Sequence, residues 1–252
     1  MTQKKHIYFA SDVHLGAPSI KDPLNHEKFF VSWLDSIKYS ASEIYLVGDI
    51  FDFWFEYKKA IPKGYTRFLG KLSELSDAGI TVHFFTGNHD IWIFDYLPKE
   101  TGIKLYRAPT KKTINGKLFL IGHGDGMSPK ERSYNRLKSI FTNKTAQKLF
   151  RLLHPDLGIK IAQAWSKKSR QNNENNNQDK INLTTELLIE ESKNILKENH
   201  YDYFIFGHNH HAEKIKLNNK SELLFLGDWL KLFSYAKWDG EQLILEYYKP
   251  KQ

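Results

Sequence analysis

Histidines, aspartates and one asparagine recur in five short groups: Asp12-Val13-His14, Gly48-Asp49, Gly87-Asn88-His89-Asp90, Gly122-His123 and Gly207-His208-Asn209-His210. Carboxylate and amide oxygens are hard ligands and imidazole nitrogens borderline ones, so this set suits divalent cations. The chain has no cysteine, which excludes thiolate sites and disulfides. Two such ions roughly 3.5–4 Å apart can turn water into a nucleophile at neutral pH and neutralise a phosphoryl group under attack. That chemistry asks for about four protein ligands per ion and one shared carboxylate. Asp49 is the bridging candidate, Asp12, His14 and His210 complete one site, and Asn88, His123 and His208 the other. His89 stands beside them as a cation or general acid for the charge developing on phosphate.

A lone histidine or Asp-x-His pair is usually structural, and His6, His26, His83, His154, His200 and His211 are read that way. Five groups, each at the end of a strand-like run, are not explained so simply. Asp52, Asp90 and Asp125 lie within or beside the groups and are expected to orient ligand histidines or to form turns.

The elements that must position these residues alternate in type. His6 to Ala10, Glu43 to Val47, Thr81 to Phe85 and Lys117 to Ile121 read as strands, with helical spacing over Asn25 to Lys38 and Lys63 to Ala78. Residues just past the strand C-termini of an α/β sheet converge on one crevice. Asp12 and His14, and likewise His208 and His210, are two apart, so an extended backbone would aim each pair the same way. From Ser128 the pattern turns helical, with Ser128 as N-cap and Pro129 in the first turn. A further helix is expected from Gly158 through Trp165, a loop or partly disordered stretch over Gln171 to Asn182, and a helix from Leu183 to Asn199. Strands return over Asp202 to Phe206, Glu222 to Leu226, Phe233 to Trp238 and Gln242 to Tyr247, with Asp239-Gly240 marking a hairpin. The simplest architecture is a two-sheet α/β core (1–127 and 183–252) with a helical insertion (128–182) across its mouth.

The composition is that of a soluble globular protein, with 40% hydrophobic residues and a mean hydropathy of -0.55. Neither an apolar run long enough to span a bilayer nor a signal-peptide pattern is present, so a cytoplasmic location is expected. The net charge of +8 is concentrated: Ser128 to Arg170 holds eleven lysines and arginines against Glu131 and Asp156. Such an excess calls for an anionic partner, whether phosphate, nucleic acid or an acidic membrane surface. Phe141, Leu149, Phe150, Leu152, Leu153 and Trp165 join these cations in an interfacial amphipathic pattern, or else pack the insertion on the core.

In their order, the five groups resemble the calcineurin-like metallophosphoesterase superfamily over Asp12 to His210. The resemblance implies a four-layer αββα sandwich with a helical lid insertion and two divalent metal ions, commonly manganese. A narrower resemblance is to the UDP-2,3-diacylglucosamine pyrophosphatase family of the lipid A pathway. It lies in the chain length, Gly48-Asp49-Ile50-Phe51-Asp52-Phe53-Trp54, His123-Gly124-Asp125 and the insertion that follows. That family implies attack of hydroxide on the α-phosphate of UDP-2,3-diacylglucosamine, giving UMP and 2,3-diacylglucosamine 1-phosphate. It further implies substrate contacts at Asn88, His89, Glu131, Ser169, Asn173 and His208, and a peripheral place on the inner face of the inner membrane. The chain departs from the best-known branch at His89, where that branch has arginine, at Asp52, where it has glutamate, and near Asn176, where it has a lid lysine. No nucleic acid and no obligate protein partner are expected. The competing enzyme reading keeps the site but takes another nucleotide, phosphodiester or nucleic acid. A non-catalytic scaffold is disfavoured, because the candidate ligands are all present.

Overall fold

The computed structural model describes residues 5–161, 164 and 177–249. Strands β1 (His6–Ala10), β2 (Ala41–Val47), β3 (Thr81–Phe85), β4 (Lys104–Tyr106), β10 (Ser234–Trp238) and β11 (Leu243–Tyr247) make a six-stranded sheet in the order β11-β10-β1-β2-β3-β4. Strands β5 (Thr110–Ile114), β6 (Lys117–Ile121), β7 (Tyr203–Phe206), β8 (Ala212–Lys216) and β9 (Glu222–Leu226) make a five-stranded sheet in the order β5-β6-β7-β9-β8. The runs β1-β2-β3-β4 and β6-β7-β9 are parallel.

The two-residue period of a strand builds the layers. Ile7, Phe9, Tyr45, Val47, Phe85 and Trp238 meet Phe119, Ile121, Ile205 and Leu224 between the sheets. The alternate residues Tyr8, Ala10, Ile44, Leu46 and Phe84 face outward, onto α1 (Pro23–Ile37) and α2 (Thr66–Asp77) through Phe30, Trp33, Phe68 and Leu72. On the other side Phe204, Phe206, Leu223 and Phe225 pack on Leu188 of α7 (Asn177–Glu198). Both sheets are thus covered, giving the expected αββα sandwich.

The strands read over His6 to Ala10, Thr81 to Phe85, Lys117 to Ile121 and Glu222 to Leu226 have those bounds. The helix α3 (Tyr96–Thr101) and strands β4, β5 and β8 were not anticipated. These three strands lie at sheet edges and carry lysines, which blunt a sheet edge and hide the apolar period. The insertion contains α4 (Arg132–Thr142), α5 (Lys144–Phe150) and α6, helical over 155–161. The helix start expected at Ser128-Pro129 falls later. Ser128 Oγ accepts from the Lys130 amide and Glu131 Oε2 from the Ser128 amide, closing a turn before α4 begins at Arg132. Residues 177–182, expected as loop, form the first turns of α7, since asparagine lowers helix propensity without forbidding it. The remainder of that stretch, 171–176, lies outside the described residues, as do Trp165, Ser169, Asn173 and Asn176.

Candidate metal centre

The loops leaving β1, β2, β3, β6 and β7 carry the five sequence groups and meet at one end of the sandwich. Asp12, His14, Asp49, His208 and His210 have φ of 55°, 50°, 53°, 71° and 53°. The extended backbone expected for the two-apart pairs is therefore wrong: both members of each pair are in the left-handed region. Such residues cost about 1–3 kcal/mol each and persist only where their surroundings fix them. Here the fixing is dense. The Asp12 amide donates to Gly48 O (3.1 Å), the His14 amide to Asp49 O (2.9 Å) and the Trp229 amide to Asp12 O (3.0 Å). Asp12 Oδ2 accepts from the His208 amide (3.0 Å) and Asp49 Oδ1 from the His89 amide (2.8 Å). A Cβ at Gly87 would sit 2.2 Å from Asp49 Oδ1, so only glycine lets these two loops touch.

The side chains gather into three overlapping groups: Asp12, His14 and His210; His14, Asp49 and His89; Asp49, His123 and His208. His210 Nε2 lies 3.4 Å and His14 Nε2 3.8 Å from Asp12 Oδ1; His123 Nε2 lies 3.2 Å and His14 Nε2 3.9 Å from Asp49 Oδ2. Ligand atoms about 2.1 Å from a shared ion lie roughly 3.0–3.4 Å apart in tetrahedral or octahedral arrangement, so only a small contraction is needed. Asp12 Oδ1, Asn88 Oδ1 and His123 Nε2 are buried without a hydrogen-bond partner. His14 Nε2 and His210 Nε2 face each other at 3.3 Å. Orphaned acceptors and opposed ring nitrogens are what a cation would satisfy, and the donor set fits two divalent ions with Asp49 common to two groups.

The opposite ring nitrogens are held from behind. His123 Nδ1 pairs with Val47 O (2.9 Å), His89 Nδ1 with Asp52 O (2.9 Å), and His14 Nδ1 faces Asp52 Oδ1 at 3.4 Å. Asp52 thus orients histidines as expected. Asp90 instead builds the turn, accepting from the Gly87, Ile50 and Phe51 amides. Asp125 does neither: it accepts from Tyr134 Oη (2.5 Å) and Lys138 Nζ (2.7 Å) of α4.

Burial works against every charge here, yet the carboxylates and rings offset it. Asp12 is held down to about 2 by His210 and His14, and Asp49 well below its usual range by His123 and His89. Against the same burial, Asp12, Asp52 and Asp49 raise His14 to about 10, and Asp49 and Asp12 hold His123 well above the ordinary histidine range. Cation binding must displace those ring protons. His208 is lowered to about 4 by burial and the neighbouring His123, so it is a neutral ligand already. Burial also lowers His89, favouring the neutral ring over the expected cation before an anion binds.

Beside the cluster opens a cavity of about 420 Å³. Asp52, Asn88 and His89 line it, with Ile91, Trp92, Leu137, Ile140, Phe141, Phe150 and Ile161 supplying apolar walls. Trp92 joins its two sides: Nε1 donates to Phe141 O (2.8 Å) and the ring packs on Phe141 and Phe150. Of the residues expected either on an interfacial face or packed on the core, Phe141 and Phe150 turn inward, whereas Leu149 (62% exposed) and Leu152 (82%) face outward. Glu131 closes the turn ahead of α4 and is not among the cavity-lining residues. Sequence reasoning missed Asp228, whose Oδ2 lies 3.7 Å from His210 Nδ1. A signal existed, because Gly227-Asp228 follows β9 as Gly48-Asp49 follows β2.

A family model described as calcineurin-like phosphoesterase matches residues 5–212. The chain is similar to the UDP-2,3-diacylglucosamine hydrolase of Porphyromonas gingivalis, at 40% identity over 95% of this chain and 96% of that one. It is also similar to the protein of that name from Haemophilus influenzae, at 29% identity over 91% of this chain and 93% of that one.

Proposed function

Because the chain belongs to the calcineurin-like phosphoesterase family and is closely related to UDP-2,3-diacylglucosamine hydrolases, we propose that it hydrolyses the pyrophosphate bond of UDP-2,3-diacylglucosamine, releasing UMP and 2,3-diacylglucosamine 1-phosphate. The observation that carries this reading is the apolar cavity opening directly beside the cation-binding cluster. A pyrophosphate at the cluster would leave the acyl chains of the same molecule within reach of the cavity walls, where each buried CH₂ stabilises by about 0.8 kcal/mol.

Asp12, His14, Asp49, Asn88, His123, His208 and His210 are the residues assigned to hold two cations. Manganese is our assignment, supported by an oxygen and nitrogen donor set without thiolate. When bound, the pair would polarise the phosphoryl oxygens and lower the pKa of a coordinated water. His89 is committed through Nδ1 to Asp52 O, so it acts on substrate through Nε2. Burial keeps the ring neutral until an anionic phosphate draws a proton onto it, after which Nε2 donates. Substrate contacts at Asn88, His89, His208, Glu131, Ser169 and Asn173 remain proposals resting on the family resemblance.

We divide the chain into a core and a helical lid on the grounds that α4 and α5 bury no residue. The division proposed is a core of 1–127 and 183–252 and a lid of 128–182, with α7, which begins at Asn177, running across the second boundary. No helix among the described residues is long and apolar enough to cross a membrane. The outward Leu149, Leu152 and Leu157, with the lid cations Lys144, Lys148 and Lys160, support docking on an anionic membrane surface. A cytoplasmic, inner-membrane site for that docking is part of the same proposal.

The test is UMP release by the purified protein with manganese, from UDP-2,3-diacylglucosamine and from UDP-N-acetylglucosamine. Release from the acylated substrate at least tenfold faster is expected. No release from it, or equal rates from both, would reject the substrate.

A further inference from the structure

Asp228 is 4% exposed and belongs to none of the ligand groups. Its two oxygens do different things. Oδ1 accepts from the Leu230, Lys231 and Leu232 amides at 2.9, 2.6 and 3.1 Å, which folds the loop after β9. Oδ2 faces His210 Nδ1 at 3.7 Å. The same loop is tied through backbone to one of the sequence groups and to the residue just past another: the Trp229 amide donates to Asp12 O and the Gly227 amide to His211 O, both at 3.0 Å. The carboxylate is therefore held in place independently of the ring it faces.

His210 turns Nε2 toward Asp12 Oδ1 and His14 Nε2. A ligating nitrogen carries no proton, so the neutral ring must keep its proton on Nδ1, and that proton needs an acceptor behind it. His123 has Val47 O and His14 has Asp52 Oδ1 in that place. For His210 the carboxylate in that place is Asp228.

We propose that Asp228 is a positioning residue that fixes the tautomer and orientation of His210, and through it the cation affinity of the Asp12, His14 and His210 group, while His123 of the Asp49, His123 and His208 group has Val47 O as its acceptor. This rests on the two-cation reading of the site.

Asp228→Asn separates the two jobs. The amide oxygen can still take the three backbone N–H groups, but a donor replaces Oδ2 and favours the tautomer with its proton on Nε2. Manganese binding to metal-stripped protein is measured by calorimetry, with the melting temperature of the stripped protein as a check on folding. In wild type, two ions are expected to bind. In Asp228→Asn, one is expected to bind about 10–100-fold more weakly and the other unchanged. Wild-type affinity for both ions, or equal loss of both, overturns the proposal. A second measurement needs no variant: the ¹⁵N spectrum of histidine-labelled wild type, stripped of manganese and loaded with diamagnetic zinc, which takes imidazole nitrogen, is expected to show His210 protonated on Nδ1, and an Nε2-protonated His210 overturns the proposal. If wild type binds no ion pair at all, the two-cation reading itself fails, and the two failures are distinguishable.

Discussion

The metal centre and the lid are built on opposite terms. In the centre, Asp12, Asp49, His14 and His123 are all buried, and five candidate ligands sit in left-handed backbone that hydrogen bonds from other loops hold in place. In the lid, α4 and α5 bury no residue, and among the described residues the attachments to the core include Trp92 and Phe55 beneath Phe141 and Phe150, Phe94 beneath Arg151, Asp125 beneath Tyr134 and Lys138, and Lys130 paired with Glu190. Rigid, over-determined loops suit groups that must stabilise charge without reorganising. A thinly attached cover suits a flexible, apolar substrate that must enter and leave. On the proposed function, rate and substrate choice would be carried by separable regions, and substitutions can test that separation.

The largest effect is expected in the centre. Asp49→Ala removes the carboxylate common to two ligand groups and leaves the charged rings of His14 and His123 without it. Hydrolysis of any phosphate ester should fall by at least ~10³-fold, equivalent to several kcal/mol of lost transition-state stabilisation. Measured kcat with manganese, on acylated and small substrates alike, checks this. Selective loss on the acylated substrate alone would mean that the centre and the lid are not separable.

Trp92→Ala attacks the lid attachment. It removes a ring that packs on Phe53, Phe55, Phe141 and Phe150, together with the bond to Phe141 O. Truncating a large aromatic in such a place costs roughly 3–5 kcal/mol when fully buried, and Trp92 is only partly so. KM for the diacylated substrate should rise about 10–100-fold, with kcat on a small phosphodiester reduced far less. Equal loss on both substrates would erase the distinction between the regions.

A third test uses pH. His14 is raised from 6.5 to about 10 in the folded, metal-free protein. Its protonated ring therefore stabilises that fold fully below about 6.5, and the contribution is lost as pH climbs through 10. Asp12, held from 3.8 down to about 2, contributes above 3.8 and loses its contribution only as pH falls through 2. The metal-free melting temperature should decline between pH 6.5 and 10, and saturating manganese, which takes over as countercharge, should flatten that decline. Parallel profiles with and without manganese would show that these rings are not the carboxylates' partners.

Much of the centre was legible because each ligand group is contiguous and follows a strand whose apolar period is plain. What escaped was long-range. Asp228 reaches His210 only after β9 is laid beside β7. Glu27 of α1 accepts from the Arg67 and Phe68 amides and so caps α2, whose own N-cap, Tyr65, makes no side-chain bond. Glu56 accepts from the Asp95 and Tyr96 amides at the start of α3 in the same manner. Local pattern also could not tell which apolar lid residues face inward: Phe150 and Leu149 are neighbours in sequence, but Phe150 packs on Phe55 and Trp92 while Leu149 is exposed. The left-handed backbone of the ligands left no mark either, since aspartate and histidine are tolerated there without a glycine to announce it.

The smallest expected effect probes the strut between the regions. Lys138 of α4 donates to Asp125 Oδ2 (2.7 Å) and Asp125 O (2.9 Å), and Asp125 lies two residues past His123. The lysine is still 30% exposed, so solvent screens the pair and its contribution is about 1 kcal/mol. Lys138→Met keeps the aliphatic stem and removes the charge. Asp125 retains the Tyr134 hydroxyl, so the buried carboxylate is not left without a donor. A melting temperature lower by about 2–4 °C is expected for a chain of this size, with KM for the acylated substrate up a few-fold and kcat nearly unchanged. Lys138→Arg should recover most of the loss. If Lys138→Met instead lowers kcat as steeply as Asp49→Ala does, the strut transmits lid position into the centre, and the two regions act as one machine.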